Sequence, residues 1–221
     1  MLKALIFDLD GVLMNSMPHH ADAWIKVIGE IEKRIKINRQ DIYDIEGSNH
    51  KGVIEKVFNK AKIPINPDYF DKLLHRKREV FLEINESVPF DGMKETLSLL
   101  KENYKLGVAT GSDRTIAMKM ITEFYPDVFD AIVSGEDVIH GKPSPEPYLK
   151  AASMLGVYAH ECKVIENAPL GVESAINANM YCIAIPTHVE PDLLKKANVI
   201  FKNHEELKNY LYSLVKEKNN F

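Results

Sequence analysis

The reading turns on residues 3–13, KALIFDLDGVL, where an apolar run from Ala4 to Phe7 delivers two aspartates, Asp8 and Asp10, at its carboxyl end. Two like charges this close repel each other, so a fold keeps them together only if something pairs with them or uses them. Four readings fit these residues alone: a solvated turn, a helix N-cap, a cation site, or a nucleophile with its acid/base partner. What lies at the ends of the other apolar runs decides among them.

Short β-branched-rich runs recur at ALIF (4–7), LGVA (106–109), AIV (131–133), VI (164–165), CIAI (182–185) and VIF (199–201). Runs of this length, closed by polar or glycine residues, predict buried parallel strands. Between them lie segments with helical spacing: 92–103, where Met93, Thr96, Leu97, Leu100 and Tyr104 fall on one face, then 113–124, 146–155, 169–179 and 203–216. Strand alternating with helix predicts an α/β fold, a Rossmann-like open parallel sheet wound on both faces. Such sheets bind ligands at the carboxyl ends of their strands.

Residues 16–84 have another texture. Helical periodicity dominates HHADAWIKVIGEIEKR (19–34), HKGVIEKVFNKA (50–61) and PDYFDKLLHRKREVFLEI (67–84), with Pro64 and Pro67 between the last two and Pro67 or Asp68 placed to start a helix. The segment reads as a small helical module inserted after the first strand. NESVPFDGM (85–93), with Pro89 and Gly92, returns the chain to the sheet. The Lys-rich end VKEKNNF (215–221) is expected to fray.

With 221 residues, 45% hydrophobic and 27% charged, the chain is long enough for one large domain or two smaller ones. A net charge of -4 and a pI near 6.1 supply no long-range attraction for nucleic acid or an anionic membrane, so neither is expected as a partner. The first apolar stretch is broken by Asp8, too short for a signal peptide or a membrane span, which predicts a cytoplasmic protein. Cys162 and Cys182 lack metal-ligand spacing and read as buried thiols. Met17, Met93, Met118, Met120, Met154 and Met180 read as core fillers.

Polar residues gather at the predicted strand ends: Asp8 and Asp10 on the first, Thr110 of VATGSDR on the second, Lys142 of GKPSPEPY after the third, Glu166 and Asn167 of VIENAPLG on the fourth. Together the parts suit phosphoryl transfer. A carboxylate can attack an anionic phosphoryl group only if its repulsion is neutralised, which calls for a divalent cation and fixed donors. In this reading Asp8 is nucleophile and metal ligand, and Glu166 and Asn167 complete an oxygen site suited to Mg²⁺. Lys142, the Thr110 hydroxyl and the backbone near Gly111 and Gly11 hold phosphoryl oxygens. Asp10 protonates the leaving oxygen and later deprotonates water, a task for which a raised pKa is expected.

The quartet DLDGVL, VATGS, GKPSPEPY and VIENAPLGVESAINANM resembles the haloacid dehalogenase-like hydrolases, in particular their phosphatase and β-phosphoglucomutase-like branch. The resemblance spans the whole chain, since the helical insert matches that branch's cap domain in place and size. It implies an α/β core of residues 1–15 and 85–221 and a helical cap of 16–84, joined by hinges near 14–17 and 84–89. It also implies a Mg²⁺-dependent mechanism through an aspartyl-phosphate on Asp8, with Asp10 as acid/base giving its backbone carbonyl to the metal. The implied partner is a small phosphorylated metabolite, and a monomer is expected because a cap must move freely.

The chain departs from that family in several places. The family usually carries a second carboxylate where Asn167 stands, so weaker metal affinity or greater dependence on Asp8 and Glu166 is expected. An Asp commonly replaces Asn15. Gly47 to Gly52 resembles the substrate loop, but His50 and Lys51 occupy the place where phosphoglucomutases use an arginine, which favours a phosphatase over a mutase. His20 and Trp24 match mutase-like positions, and His20, His50 and Lys51 are the candidate substrate contacts of the cap. His19 and His20 otherwise read as cap surface or hinge. Asp113 and Arg114 read as a helix start, with Ser112 an equal N-cap candidate. The rival readings are a mutase, a member that binds phosphorylated ligands without turnover, and a receiver-type signalling module, the last opposed by the DxD on the first strand.

Overall fold

The computed structural model describes residues 1–66 and 68–219. Among them the predicted runs form strands β1 (Ala4–Phe7), β2 (Lys105–Ala109), β3 (Ala131–Val133), β4 (Cys162–Glu166), β5 (Tyr181–Ala184) and β6 (Val199–Ile200). All pair in parallel, in the order β3-β2-β1-β4-β5-β6, so the strand bearing Asp8 lies inside the sheet with β2 on one side and β4 on the other. Successive side chains of a strand point to opposite faces. Leu5 and Phe7 accordingly join one apolar core, while Ala4 and Ile6 join the other.

Helices α1 (Met17–Ile31), α2 (Arg39–Tyr43), α3 (His50–Lys60) and α4 (Asp68–Ile84) form the insert after β1. Of these α2 is a short helix the periodicity missed; Asn38 and Asp41 start it with reciprocal side chain to backbone hydrogen bonds. Pro67 lies outside the described residues. Trp24, Val27 and Ile28 of α1 and Leu73, Val80 and Phe81 of α4 are buried as the two helices pack together. The remaining helices are α5 (Met93–Lys101), α6 (Arg114–Phe124), α7 (Glu146–Leu155), α8 (Pro169–Asn177) and α9 (His204–Asn219). Residues of α5, α6 and α9 share the core of Leu5 and Phe7; residues of α7 and α8 share that of Ala4 and Ile6.

Three smaller expectations change. The carboxyl-terminal helix continues through Asn219 instead of fraying at residue 215, because Lys218 Nζ donates to the Asn103 carbonyl at 2.9 Å and lies over the Tyr104 ring; Asn220 and Phe221 lie outside the described residues. Met154 is exposed and Met118 only partly buried, unlike the other methionines named above. Asp113, not Ser112, caps α6, its Oδ1 accepting from the amides of Thr115 and Ile116. Cys162 and Cys182 are free, buried thiols.

The insert meets the sheet at a paired crossing. Met14 bridges Pro89 antiparallel, the Asn15 amide donates to the Val88 carbonyl at 3.0 Å, and the Phe90 amide donates to the Leu13 carbonyl at 3.2 Å.

Candidate active site

The ladder continues one residue beyond the strands and sets the site's floor. The Asp8 amide donates to the Ile165 carbonyl and the Thr110 amide to the Val133 carbonyl, both at 2.9 Å, so backbone hydrogen bonds position both residues. Asp8, Asp10, Thr110, Lys142, Glu166 and Asn167 are all buried there.

Lys142 joins two of the carboxylates. Its Nζ lies 2.6 Å from Asp8 Oδ1 and 2.6 Å from Glu166 Oε1. Tyr148 Oη also donates to Glu166 Oε1, at 2.7 Å, while Glu166 Oε2 accepts from the amides of Asn167 and Ala168. Both oxygens of Glu166 are thus committed within the protein, and a Cβ on Gly171 would collide with them. Burial works against a charged Lys142, but Asp8 and Glu166 outweigh it and hold its pKa above the ordinary lysine value. Burial pushes the Asp8 carboxyl up to about 8, with Lys142 opposing and Glu166 and Asp10 adding to the rise.

Asp10 is the reverse of the expectation. Burial works to raise its pKa, but His20, Ser112 and Ser16 outweigh it and hold the carboxyl well below the usual carboxylate range. Ser16 Oγ donates to Oδ1 at 2.5 Å, Ser112 Oγ to Oδ2 at 2.6 Å, and the Thr110 hydroxyl to Oδ2 at 3.3 Å. Donors crowded on an anion favour the anion. His20 Nε2 completes the set at 3.1 Å from Oδ1.

His20 belongs to a chain of contacts that begins in α4. Lys77 Nζ lies 2.8 Å from His20 Nδ1, and an ammonium can only donate, so Nδ1 accepts and Nε2 carries the hydrogen given to Asp10. Lys77 is 1% exposed, its ammonium over the rings of Phe81 and Trp24 at 4.8 and 5.7 Å, and burial pulls its pKa down to about 8. Burial and then Lys77 likewise lower the pKa of His20. The sequence held a sign of Lys77: it falls four residues after Leu73 and four before Phe81, on the apolar stripe of α4.

A cavity of about 50 Å³ lies between this floor and the insert; Asp8, Asp10, His20, Trp24, His50 and Lys77 are among its lining. His50 is partly buried there, its Nε2 shielded and unpartnered among the described residues, and burial followed by Lys77 pushes its pKa down to about 3. Lys51, its predicted companion, is exposed on α3 and does not line the cavity. Gly111 lies directly under the loop before α3: a Cβ there would stand 2.9 Å from the Ser48 carbonyl oxygen and 3.0 Å from that of Gly47. The expected Gly111 thus serves close approach of the insert.

Asn167 faces a residue the sequence reading passed over. Its Nδ2 donates to Glu46 Oε1 at 2.6 Å, Glu46 coming from the loop between α2 and α3. Burial raises the Glu46 pKa well above the usual range. Among the described residues no group of three or more His, Cys, Asp or Glu side chains is arranged to hold a metal ion, since Lys142 stands between Asp8 and Glu166. A cation here must also draw on neutral oxygens, and Asn167 Oδ1 meets that need: it is fully buried and has no hydrogen-bond partner. With Asp8 beside it, the donor set suits a hard cation.

Comparison with known proteins agrees with the fold and the order of these elements. The family model described as haloacid dehalogenase-like hydrolase matches residues 5–185, and the chain belongs to that family. It is 32% identical over 192 residues to a beta-phosphoglucomutase of Bacillus subtilis, covering 83% of each protein. To a phosphorylated carbohydrates phosphatase of Thermotoga maritima it is 30% identical over 217 residues, covering 95% of this chain and 98% of the relative. The structure of a beta-phosphoglucomutase from Clostridium difficile superposes with a TM-score of 0.83 at 24% identity, covering 100% of both chains, a likeness of fold that includes the helical insert.

Proposed function

We propose that this chain is a Mg²⁺-dependent phosphatase that removes the phosphoryl group from a small phosphorylated metabolite, a sugar phosphate or a molecule like phosphoglycolate, through an aspartyl-phosphate on Asp8. The observation that carries the reading is the opposite treatment of two neighbouring carboxylates: Asp8 is tied to the cationic Lys142, while Asp10 is ringed by hydroxyls and His20. Carboxylates whose environments push their pKa values apart take different roles. Phosphatases among the relatives and the family match support the reaction class. Residues 1–15 and 85–221 form the catalytic core, and 16–84 the cap. The protein works as a cytoplasmic monomer; among the described residues no helix is long and apolar enough to cross a membrane.

Asp8, Asn167 Oδ1 and the Asp10 backbone carbonyl would hold the Mg²⁺, and Glu166 contributes charge through Lys142. When bound, the cation neutralises charge on the phosphoryl oxygens and favours the ionised form of Asp8. Asp8 attacks phosphorus and the bond to the leaving oxygen breaks, with Lys142, the Thr110 hydroxyl and the Gly111 amide receiving the phosphoryl oxygens. The leaving oxygen takes a proton from Asp10. Because Asp10 rests ionised, that proton comes from His20 Nε2, while Lys77 gives one to Nδ1 and is left neutral, a state its depressed pKa makes accessible. Asp10 then takes a proton from the water that attacks phosphorus, which breaks the bond to Asp8 and releases phosphate; that proton passes back through His20 to Lys77, so Asp10 returns to its ionised state and Lys77 to its charged one.

Within the cavity lining Lys77 carries the one lysine or arginine charge among the described residues, and it is engaged by His20. A second phosphate finds no bidentate clamp there, which favours a phosphatase over a mutase. The test is phosphate release from an aryl phosphate and a panel of sugar phosphates, with and without Mg²⁺, in wild type and Asp8→Asn. Release that requires Mg²⁺ and vanishes in the variant is expected. Release that persists in Asp8→Asn overturns the mechanism, and turnover only after a sugar bisphosphate is added identifies a mutase.

A further inference from the structure

One residue at which this chain departs from the pattern it resembles is Asn167, and the structure places a cap residue directly against it. An aspartate at 167 would bring an oxygen and a negative charge to the cation. An asparagine brings only the oxygen, and only if its amide is turned the right way, since Nδ2 is a donor and repels a cation. Glu46 Oε1 takes the Nδ2 hydrogen at 2.6 Å, so the amide is held with Oδ1 free. Glu46 is itself 6% exposed, and its second oxygen, Oε2, is buried with no hydrogen-bond partner among the described residues. Two unpartnered oxygens, one from the core and one from the cap, therefore lie on the two sides of one hydrogen bond. Gly11, at φ 85°, makes room for the pair, because a Cβ there would collide with Asn167 Nδ2 and stand 3.0 Å from Glu46 Oε1.

We infer that Glu46 is a positioning residue for the cation site: by taking the Nδ2 hydrogen from the cap side it holds Asn167 with Oδ1 turned to the cation. The inference rests on the Mg²⁺-dependent reading above. One ligand's work is split between two residues on two parts of the chain. The site is complete only while the loop of Glu46, Gly47 and Ser48 sits on the core, where Gly47 packs on the Gly171 amide and Ser48 lies over Gly111. Closure and cation binding then favour each other by the same factor, as linkage requires.

The test is binding of Mn²⁺ alone, as a probe for Mg²⁺, followed by the electron paramagnetic resonance signal of the free ion. Replacing a residue that orients a metal ligand weakens affinity by about 10-fold or more, and that loss is expected for Glu46→Leu, which removes the acceptor of the Asn167 Nδ2 hydrogen. Asn167→Asp combined with Glu46→Leu is expected to regain wild-type affinity, since either oxygen of the aspartate can face the cation; this recovery also shows that Glu46→Leu did not merely damage the fold. Wild-type affinity in Glu46→Leu overturns the inference, and so does a double variant as weak as the single one. Phosphate release is scored separately. A Mg²⁺-dependent phosphatase whose Glu46→Leu variant binds Mn²⁺ normally keeps the proposed function and loses this inference; the expected Mn²⁺ pattern without turnover does the reverse.

Discussion

The floor of the site and its roof are built by different means. On the floor, Asp8 and Thr110 are placed by amides that extend the parallel ladder, and Glu166 is pinned by the two amides that follow it. On the roof, His20, Glu46, His50 and Lys77 come from helices and a loop of the insert, and the contacts of His20, Glu46 and Lys77 run through side chains. Backbone placement belongs to the sheet itself, whereas side-chain placement depends on how the insert packs on it. The floor is therefore fixed by the parallel ladder, and the roof by the packing of the insert.

That contrast breaks most visibly at Lys142. Lys142→Met leaves the buried carboxylates of Asp8 and Glu166 facing each other without a cation, and loss of one partner of such a cluster typically costs about 3–5 kcal/mol. We expect a clear fall in melting temperature and a loss of about 10³-fold in kcat, the scale of a lost electrostatic donor. A melt and a phosphate-release assay check both, and near-normal values in both would mean that Lys142 is not the contact that holds the floor together.

The roof is expected to yield a smaller effect with a different signature. Lys77→Met breaks the donation to His20 and should lower kcat by about 10- to 100-fold. Its stability effect depends on pH, because burial holds Lys77 at about 8 in the fold against an ordinary value of 10.5. Below pH 8 the lysine is charged in both the folded and unfolded states and the full burial penalty applies; between pH 8 and 10.5 the unfolded chain binds more protons, so wild type gains stability as pH rises. Relative to Lys77→Met, wild type should gain on the order of 3 kcal/mol across that window. Denaturation midpoints of both proteins at pH 7.5 and pH 10 check it, and a constant difference between them would mean that Lys77 is not a buried charge.

The smallest effect is expected at Arg78. Its guanidinium spans from α4 to Asp113 Oδ2 and to Glu136, partly exposed. Arg78→Ala should cost about 1 kcal/mol or less and change kcat/KM by a few fold. Asp113 Oδ1 still caps α6 in that variant, so Asp113→Ala should destabilise more, by about 1 kcal/mol beyond it. Equal melting temperatures for the two variants would show that the cap hydrogen bonds contribute little.

The same contrast explains what could be read from the sequence. Asp8, Thr110, Lys142 and Glu166 end or follow β-branched runs, a local pattern that reports a parallel sheet and its carboxyl edge without knowledge of packing. The place of Asp10 at the strand end was legible but not its pKa, since the lowering comes from His20 and Ser16 at the start of α1 and from Ser112 far along the chain, which the fold brings together. Glu46 and Lys51 show the limit. Both lie near Gly47 and Gly52, yet one is buried against Asn167 and the other is exposed on α3. Which of them faces inward depends on how α2 and α3 meet the core, and α2, held by its own Asn38 cap, left no periodicity to read.

The two crossings between sheet and insert are lashed to each other, Asn15 to Val88 and Leu13 to Phe90. Two free tethers would let the insert slide and twist, so that each roof residue could find its target alone. A single paired seam leaves little but a swing about one axis. Under the proposed closure His20, Glu46, His50 and Lys77 would arrive or withdraw together, and a substrate that obstructs any one of them would deny the site all four. Selectivity would then work by veto: a poorly shaped guest need not be repelled by any particular side chain, since it would be enough that the insert cannot seat.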